Sequence, residues 1–122
     1  VALDEALLTE ADAVRWAAHP RPGEVFNIKL MKCGGVTPAR RIAAVAEAGG
    51  MGLMWGCMDE SCISIAAALH TALASPATRF LDLDGSFDLA RDVATGGFVL
   101  EDGVMRPSPG AGLGLTLASA MH

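Results

Sequence analysis

A regular alternation of short apolar strands with helical segments is the feature that most constrains the fold of this chain. The pattern predicts strands at 1–3, 24–31, 51–55 and 78–83. Helical spacing follows the first three strands, at 10–18, 39–48 and 61–74. Because strands recur about every 27 residues with a helix between them, we expect a parallel sheet with right-handed crossovers. A continuing repeat of this length is typical of a (β/α)8 barrel, whose functional groups lie at the C-terminal ends of the strands.

The ends of the predicted helices carry capping residues. Residues 9–12 resemble a capping box, and the prolines within 19–23 are expected to end the first helix. Thr37 and Pro38 are expected to be the N-cap and the first residue of the second helix. The third helix is predicted to bury an almost wholly apolar face, made of Ile63, Ala66, Ala67, His70 and Leu73. On that face His70 is interpreted as a packed residue and not as a ligand.

The last third of the chain has a different character. Residues 87–93 are compatible with a short helix, and residues 96–105 predict a hairpin that turns at Asp102 and Gly103. Frequent prolines and glycines after residue 106 predict irregular structure. We expect this part to pack against a neighbouring domain.

Charge, hydropathy and cysteine usage exclude several classes of function. The net charge of −5, with nine unclustered Lys and Arg residues, argues against a nucleic-acid partner. The chain contains no run of eighteen apolar residues, so a membrane span is not expected. Three cysteines without a CxxC pair cannot all form disulfides within the chain, which favours a reduced, cytoplasmic setting. The start at Val1, with no initiator Met and no leader pattern, is interpreted as an opening in the middle of a strand.

Charged side chains lie at or just after the C-terminal ends of the predicted strands, where a purely structural scaffold does not need them. They are Asp4, Lys29, Glu60 and the pair Asp82 and Asp84. Within 24–31, Lys29 alternates with apolar residues, so it is expected to share one strand face with Asn27. The same alternation puts Asp82 and Asp84 on one face of the strand predicted at 78–83. The pattern predicts a functional site at the C-terminal edge of the sheet.

Four segments together resemble one family. They are 27–35 (NIKLMKCGG), 56–61 (GCMDES), 81–85 (LDLDG) and 109–114 (PGAGLG). They are similar to the enolase superfamily, in its muconate-lactonizing-enzyme branch, and most of all to dipeptide epimerases of the L-Ala-D/L-Glu type. The resemblance implies that residues 1–86 form the C-terminal half of a (β/α)8 barrel. It also implies that residues 87–122 return to a capping domain.

The same resemblance implies the chemistry. Members of this branch remove the proton next to a carboxylate through an enediolate held by Mg²⁺, with one lysine on each face of the carbon. Lys29 would be one of these two acid/base lysines, and Asp4 would be one of three carboxylate ligands of the metal. Asp82 and Asp84 would hold the ammonium group of a dipeptide substrate. These residue types suit the reaction, because Mg²⁺ prefers oxygen ligands and a bound cation offsets the developing negative charge.

Further positions match the substrate pocket of the family. Cys57, Met58 and Asp59 would line that pocket, whereas Glu60 and Lys32 are possible site residues. Glu60 could equally be an acid that complements a helix dipole, and Lys32 could be a loop charge or a group that supports the site. Asp4 could also cap the following helix.

The family's second lysine and two other metal ligands have no counterpart in this chain. We therefore expect the 122 residues alone to be inactive, and the complete enzyme to be a homo-oligomer. The alternatives are a muconate cycloisomerase, an N-acylamino acid racemase or an o-succinylbenzoate synthase of the same branch, or a non-catalytic truncated half-barrel.

Overall fold

A four-stranded parallel sheet forms the centre of the protein. The structure is a computed structural model and describes residues 1–118. The strands lie in the order β1 (Ala2–Leu3), β2 (Val25–Ile28), β3 (Gly52–Trp55) and β4 (Thr78–Leu81). All three neighbouring pairs are parallel, with Val25 opposite Gly52 in the central pair. The predicted parallel α/β fold is confirmed.

Helices connect the strands and cover the sheet. They are α1 (Glu10–Ala17), α2 (Leu30–Cys33), α3 (Val36–Ala48) and α4 (Cys62–Leu73). The capping box predicted for α1 is present, because Thr9 accepts a hydrogen bond from the Asp12 backbone N–H while Asp12 accepts one from Thr9. Among residues 1–118, no helix combines the length and the apolar character that crossing a bilayer requires.

The core lies between the sheet and its helices. Phe26, Leu53 and Trp55 of the two central strands are fully buried, and Ile42 and Ile65 of α3 and α4 pack in the same cluster. Burying each such side chain stabilises the fold by roughly 1.5–3 kcal/mol. These contacts hold the C-terminal ends of β2 and β3 side by side.

The second strand is shorter than predicted. It ends at Ile28, and the following residues form the one-turn helix α2, where a continuation of the strand to Met31 was expected. Gly34 and Gly35 both have positive φ, and both donate a backbone hydrogen bond to the Leu30 carbonyl oxygen. This arrangement closes a helix turn with glycines that tolerate the left-handed region.

The predicted N-cap of α3 is also wrong. Gly35 is the N-cap, and Thr37 and Pro38 lie inside the first turn. Pro38 is tolerated there because the first four backbone N–H groups of a helix have no partner within it. The helix therefore begins two residues earlier than the capping pattern indicates.

The face that α4 buries differs from the predicted one. Its buried residues include Cys62, Ile65, Leu69 and Ala72, whereas Leu73 is 57% exposed. Because α4 is apolar nearly all round, its periodicity does not define a single face. His70 is half-buried, and its Nδ1 lies 2.8 Å from the Ala66 carbonyl oxygen, in keeping with a packing role.

The segment after β4 contains small antiparallel sheets. Strands β5 (Ala94–Gly96) and β8 (Leu115–Leu117) form one pair, and β6 (Phe98–Glu101) and β7 (Val104–Pro107) form the other. The predicted hairpin turn is confirmed at Asp102 and Gly103, whose φ values are 50° and 76°. Phe98 and Met105 pack against the core. The assignment of 87–122 to a capping domain stays a prediction, and its last four residues lie outside the described part.

No helix forms at residues 87–93, which consist of turns and bends. Asp92 instead accepts hydrogen bonds from the backbone N–H groups of Cys62, at 2.6 Å, and of Val93, at 2.6 Å. Such side-chain bonds to the backbone compete with helix formation. The contact with Cys62 ties this segment to the N-terminus of α4.

Candidate active site

Asp4 is the centre of a polar cluster at the C-terminal edge of the sheet. It directly follows β1, and Lys29 directly follows the neighbouring strand β2. The Lys29 Nζ atom lies 3.0 Å from Oδ2 of Asp4. The Asn27 Nδ2 atom donates to the same oxygen, also at 3.0 Å. Parallel pairing explains the meeting, because it brings the C-terminal ends of adjacent strands to one edge.

Lys32 contacts the same aspartate from α2. Its Nζ atom donates to the Asp4 carbonyl oxygen at 2.8 Å and also pairs with Oδ1 of the carboxylate. The Lys32 side chain is 10% exposed, compared with 18% for Lys29. The two lysines therefore contact different oxygens of one carboxylate.

This cluster lowers the pKa of Asp4. Burial by itself would raise the pKa, but the hydrogen bonds and the charges of Lys32 and Lys29 together outweigh it. The result favours an ionised carboxylate, which is the form that binds metal ions and ammonium groups.

Gly56 makes room for the cluster and was not singled out as a site residue from the sequence. A Cβ atom on Gly56 would lie 2.7 Å from Oδ1 of Asn27 and 3.1 Å from Cε of Lys29. The Asn27 side chain is buried, and its Oδ1 atom has no hydrogen-bond partner among the described residues. The sequence does indicate Gly56 indirectly, because it directly follows an apolar strand. A glycine at such a place often marks a close approach of another segment, here the one with Asn27 and Lys29.

A second group of predicted residues lies where the segments after β3 and β4 meet. The Cys57 thiol donates to Oδ1 of Asp84 at 3.6 Å and accepts a hydrogen bond from the Gly85 N–H at 3.3 Å. Burial raises the pKa of Cys57, and Asp84 raises it further. A side chain at Gly85 would overlap the Met58 carbonyl oxygen. These contacts fasten the Asp84 segment to the segment after β3, which begins beside Lys29.

Asp82 and Asp84 do not lie within a strand, because β4 ends at Leu81. The strand predicted at 78–83 is therefore two residues too long, and Asp82 and Asp84 lie just beyond its end, on either side of the buried Leu83. The Asp82 N–H donates to the Trp55 carbonyl oxygen at 2.9 Å, so the backbone continues along β3 for one more residue. Both carboxylates are exposed, and they line a cavity of about 220 Å³ together with Phe87 and Met105. Met58 and Asp59 are also exposed at this edge.

Glu60 is buried and has both carboxylate oxygens engaged. The Met58 N–H donates to Oε1 at 2.8 Å, and the Ser64 hydroxyl donates to Oε2. Glu60 thus fastens the loop before α4 to the first turn of that helix. A role of Glu60 in the site stays a prediction.

The donor set around Asp4 suits a hard cation only in part. Asp4 offers an oxygen ligand at the C-terminal edge of the sheet, and oxygen is the donor that Mg²⁺ prefers. Among the described residues, no group of three His, Cys, Asp or Glu side chains could hold a metal ion. Asp4 therefore fits as one ligand of a magnesium site that needs further oxygen donors.

The whole arrangement can be compared with known proteins. Residues 1–121 match the family described as Enolase C-terminal domain-like. The chain belongs to this family. It spans about a third of the length of the curated relatives that it matches.

Several curated relatives of the chain are epimerases by name. The L-Lys-D/L-Arg epimerase of Methylococcus capsulatus is 70% identical over 94% of this chain and 32% of that protein. A crystal structure of the dipeptide epimerase from that organism, complexed with Mg and the dipeptide L-Arg-D-Lys, matches with a TM-score of 0.89. That match has 70% identity and covers 93% of this chain and 32% of the other. The L-Ala-D/L-Glu epimerase of Clostridium acetobutylicum is 39% identical over 93% of this chain and 32% of that protein.

Proposed function

We propose that the complete protein is a Mg²⁺-dependent dipeptide epimerase, in which Lys29 moves the proton at the α-carbon. The observation that carries the proposal is the 3.0 Å contact between Lys29 Nζ and Asp4 Oδ2 at the C-terminal edge of the sheet. The chain belongs to the Enolase C-terminal domain-like family and is similar to two named epimerases, and both findings support this assignment.

The residues of this chain supply part of the reaction. Asp4 would provide one oxygen ligand to Mg²⁺, which when bound supplies positive charge that offsets the charge developing on the substrate carboxylate. Lys29 exchanges its contact with Asp4 for the substrate, and its Nζ atom then accepts or returns the α-proton. Epimerisation also needs an acid/base group on the opposite face of the carbon, which the resemblance places outside this chain.

Asp82 and Asp84 are proposed to bind the α-ammonium group of the dipeptide. Both are exposed carboxylates, and Asp84 is tied through Cys57 to the segment that begins beside Lys29. No cation pairs with either carboxylate within residues 1–118. Two anionic groups on adjacent segments attract a free ammonium ion, and Cys57, Met58 and Asp59 would line the same pocket.

We propose a cationic dipeptide as the substrate, in place of the L-Ala-D/L-Glu type that the sequence analysis predicted. Identity to the L-Lys-D/L-Arg epimerase is 70%, compared with 39% to the L-Ala-D/L-Glu epimerase. Asp59 is a further exposed carboxylate in the segment after β3, and its negative charge would favour a cationic side chain on the substrate. A cytoplasmic location and a homo-oligomeric complete enzyme stay predictions.

The experiment is α-proton exchange in D₂O, followed by NMR with the full-length protein and Mg²⁺. L-Lys-L-Arg should exchange at least roughly tenfold faster than L-Ala-L-Glu, since a unit charge difference is worth more than 1.4 kcal/mol at low effective dielectric constant. Faster exchange of L-Ala-L-Glu would instead favour an epimerase of the L-Ala-D/L-Glu type. Turnover of an N-acylamino acid but of neither dipeptide would favour a racemase of the same branch, and binding without any exchange would favour a non-catalytic protein.

A further inference from the structure

We propose that Lys32 is a positioning residue, which holds the Asp4 carboxylate in the orientation that a metal ion requires. This inference rests on the proposed function, because it assigns Asp4 to magnesium. Lys29 and Lys32 lie three residues apart in the sequence and both contact Asp4, but their proposed roles differ.

Lys32 contacts both the main chain and the side chain of Asp4. Its ammonium group donates to the main-chain carbonyl of Asp4 at 2.8 Å and to the Oδ1 atom of the same residue. Two anchors on one residue restrict both the backbone and the side-chain torsions of Asp4. Lys29, by comparison, pairs with Oδ2 alone.

The position of the Lys32 ammonium group is set by the short helix that carries it. Leu30 at the start of α2 is buried in the core, and its carbonyl oxygen accepts hydrogen bonds from Gly34 and Gly35. The Lys32 backbone N–H donates to the Lys29 carbonyl oxygen at 3.0 Å. This fixed turn directs Lys32 back to the end of β1, and 10% exposure leaves little freedom to move.

The two carboxylate oxygens of Asp4 divide between different partners. Oδ1 faces Lys32, whereas Oδ2 accepts from Asn27 Nδ2 and from Lys29. When Lys29 leaves Asp4 to act on substrate, Lys32 and Asn27 still hold the carboxylate at both oxygens. Hydrogen-bonded supports of this kind orient metal ligands, and their removal typically weakens metal binding.

The test measures Mg²⁺ binding by calorimetry and α-proton exchange by NMR in the full-length protein. Lys32→Met should raise the Mg²⁺ dissociation constant roughly 10- to 100-fold, and saturating Mg²⁺ should restore most of kcat. Lys32→Arg, which keeps a charged donor, should recover at least part of the affinity. Lys29→Met is the matched comparison, in which exchange falls by roughly 10²- to 10⁴-fold while Mg²⁺ affinity changes much less than in Lys32→Met.

Three results would overturn the inference. The first is Mg²⁺ binding in Lys32→Met that is as tight as in the wild type or tighter. The second is a loss of kcat in that variant that saturating Mg²⁺ does not restore. The third is an equal increase of the Mg²⁺ dissociation constant in Lys32→Arg and Lys32→Met. If Lys32→Met does not fold, Lys32→Gln keeps a donor without the charge and is judged by the same measurements. A wild-type protein without Mg²⁺ binding or exchange would instead refute the proposed function itself.

Discussion

The Nζ atom of Lys29 lies 3.0 Å from Oδ2 of Asp4, between the ends of two neighbouring parallel strands. Twenty-four residues lie between them in the sequence, and these include the whole of α1. The contact joins the amine proposed for proton transfer to the carboxylate proposed as metal ligand.

Lys29→Met should remove catalysis without unfolding the protein. Positioned acid/base groups typically contribute roughly 10²- to 10⁴-fold, so α-proton exchange in the full-length protein should fall by about that factor. Asp4 keeps its contacts with Asn27 and Lys32, and the thermal unfolding midpoint should therefore change little. Exchange above a tenth of the wild-type rate would show that another group performs the transfer.

Gly56→Ala should disturb the same cluster through steric overlap. The added Cβ atom would lie 2.7 Å from Asn27 Oδ1 and 3.1 Å from Lys29 Cε. Such overpacking typically costs about 1–3 kcal/mol, and urea unfolding should detect the loss. Combining Gly56→Ala with Asn27→Ala removes the closer contact, so the double variant should lose less than the two single losses together. Additive losses would mean that the overlap is relieved elsewhere.

Asp84→Asn and Asp82→Asn should weaken binding of dipeptides that have a free ammonium group. A hydrogen bond to a charged group is worth about 1.5–3 kcal/mol, so KM should rise by roughly tenfold or more. Glu24→Gln is the matched control, because Glu24 directly precedes β2 at the opposite edge of the sheet and Gln keeps an acceptor for the Arg21 N–H. If all three variants give the same KM, the two carboxylates do not bind substrate.

Asp92→Ala should destabilise the connection between the C-terminal segment and α4. Asp92 accepts the Cys62 N–H at 2.6 Å, and loss of a helix cap costs about 1 kcal/mol. Asp88 is exposed and does not contact the N-terminus of α4 within residues 1–118, so Asp88→Ala is the control variant. Denaturant unfolding at neutral pH should separate the two variants.

The Asp92 contact should also depend on pH. The backbone hydrogen bond from Cys62 is the largest cause that lowers the pKa of Asp92 below its ordinary value of 3.8. A carboxyl whose pKa is lowered by folding contributes stability above the unfolded pKa and loses it as pH falls through the folded pKa. The difference in stability between wild type and Asp92→Ala should therefore be full at pH 6 and should shrink as pH falls below about 4. A difference that grows on acidification would contradict the assignment.

Local patterns in the sequence were sufficient to locate the four strands of the parallel sheet and the three long helices between them. The alternation of strands and helices, the capping box at Thr9 and the turn at Asp102 and Gly103 all depend on residues that are close in the chain. Local backbone geometry decides such features, so the sequence alone predicts them. The resemblance to the enolase superfamily likewise indicated which charged residues belong to the candidate site.

Only the tertiary structure decided which of these residues meet and how. The end of β2 at Ile28, the buried face of α4 and the two contacts of Lys32 with Asp4 depend on packing between distant segments. The same is true of Gly56 beside Asn27 and of Asp92 at the N-terminus of α4. Sequence periodicity indicates which way a residue faces within its own element. It carries no information on the neighbour that long-range packing brings against it, because that neighbour belongs to another element.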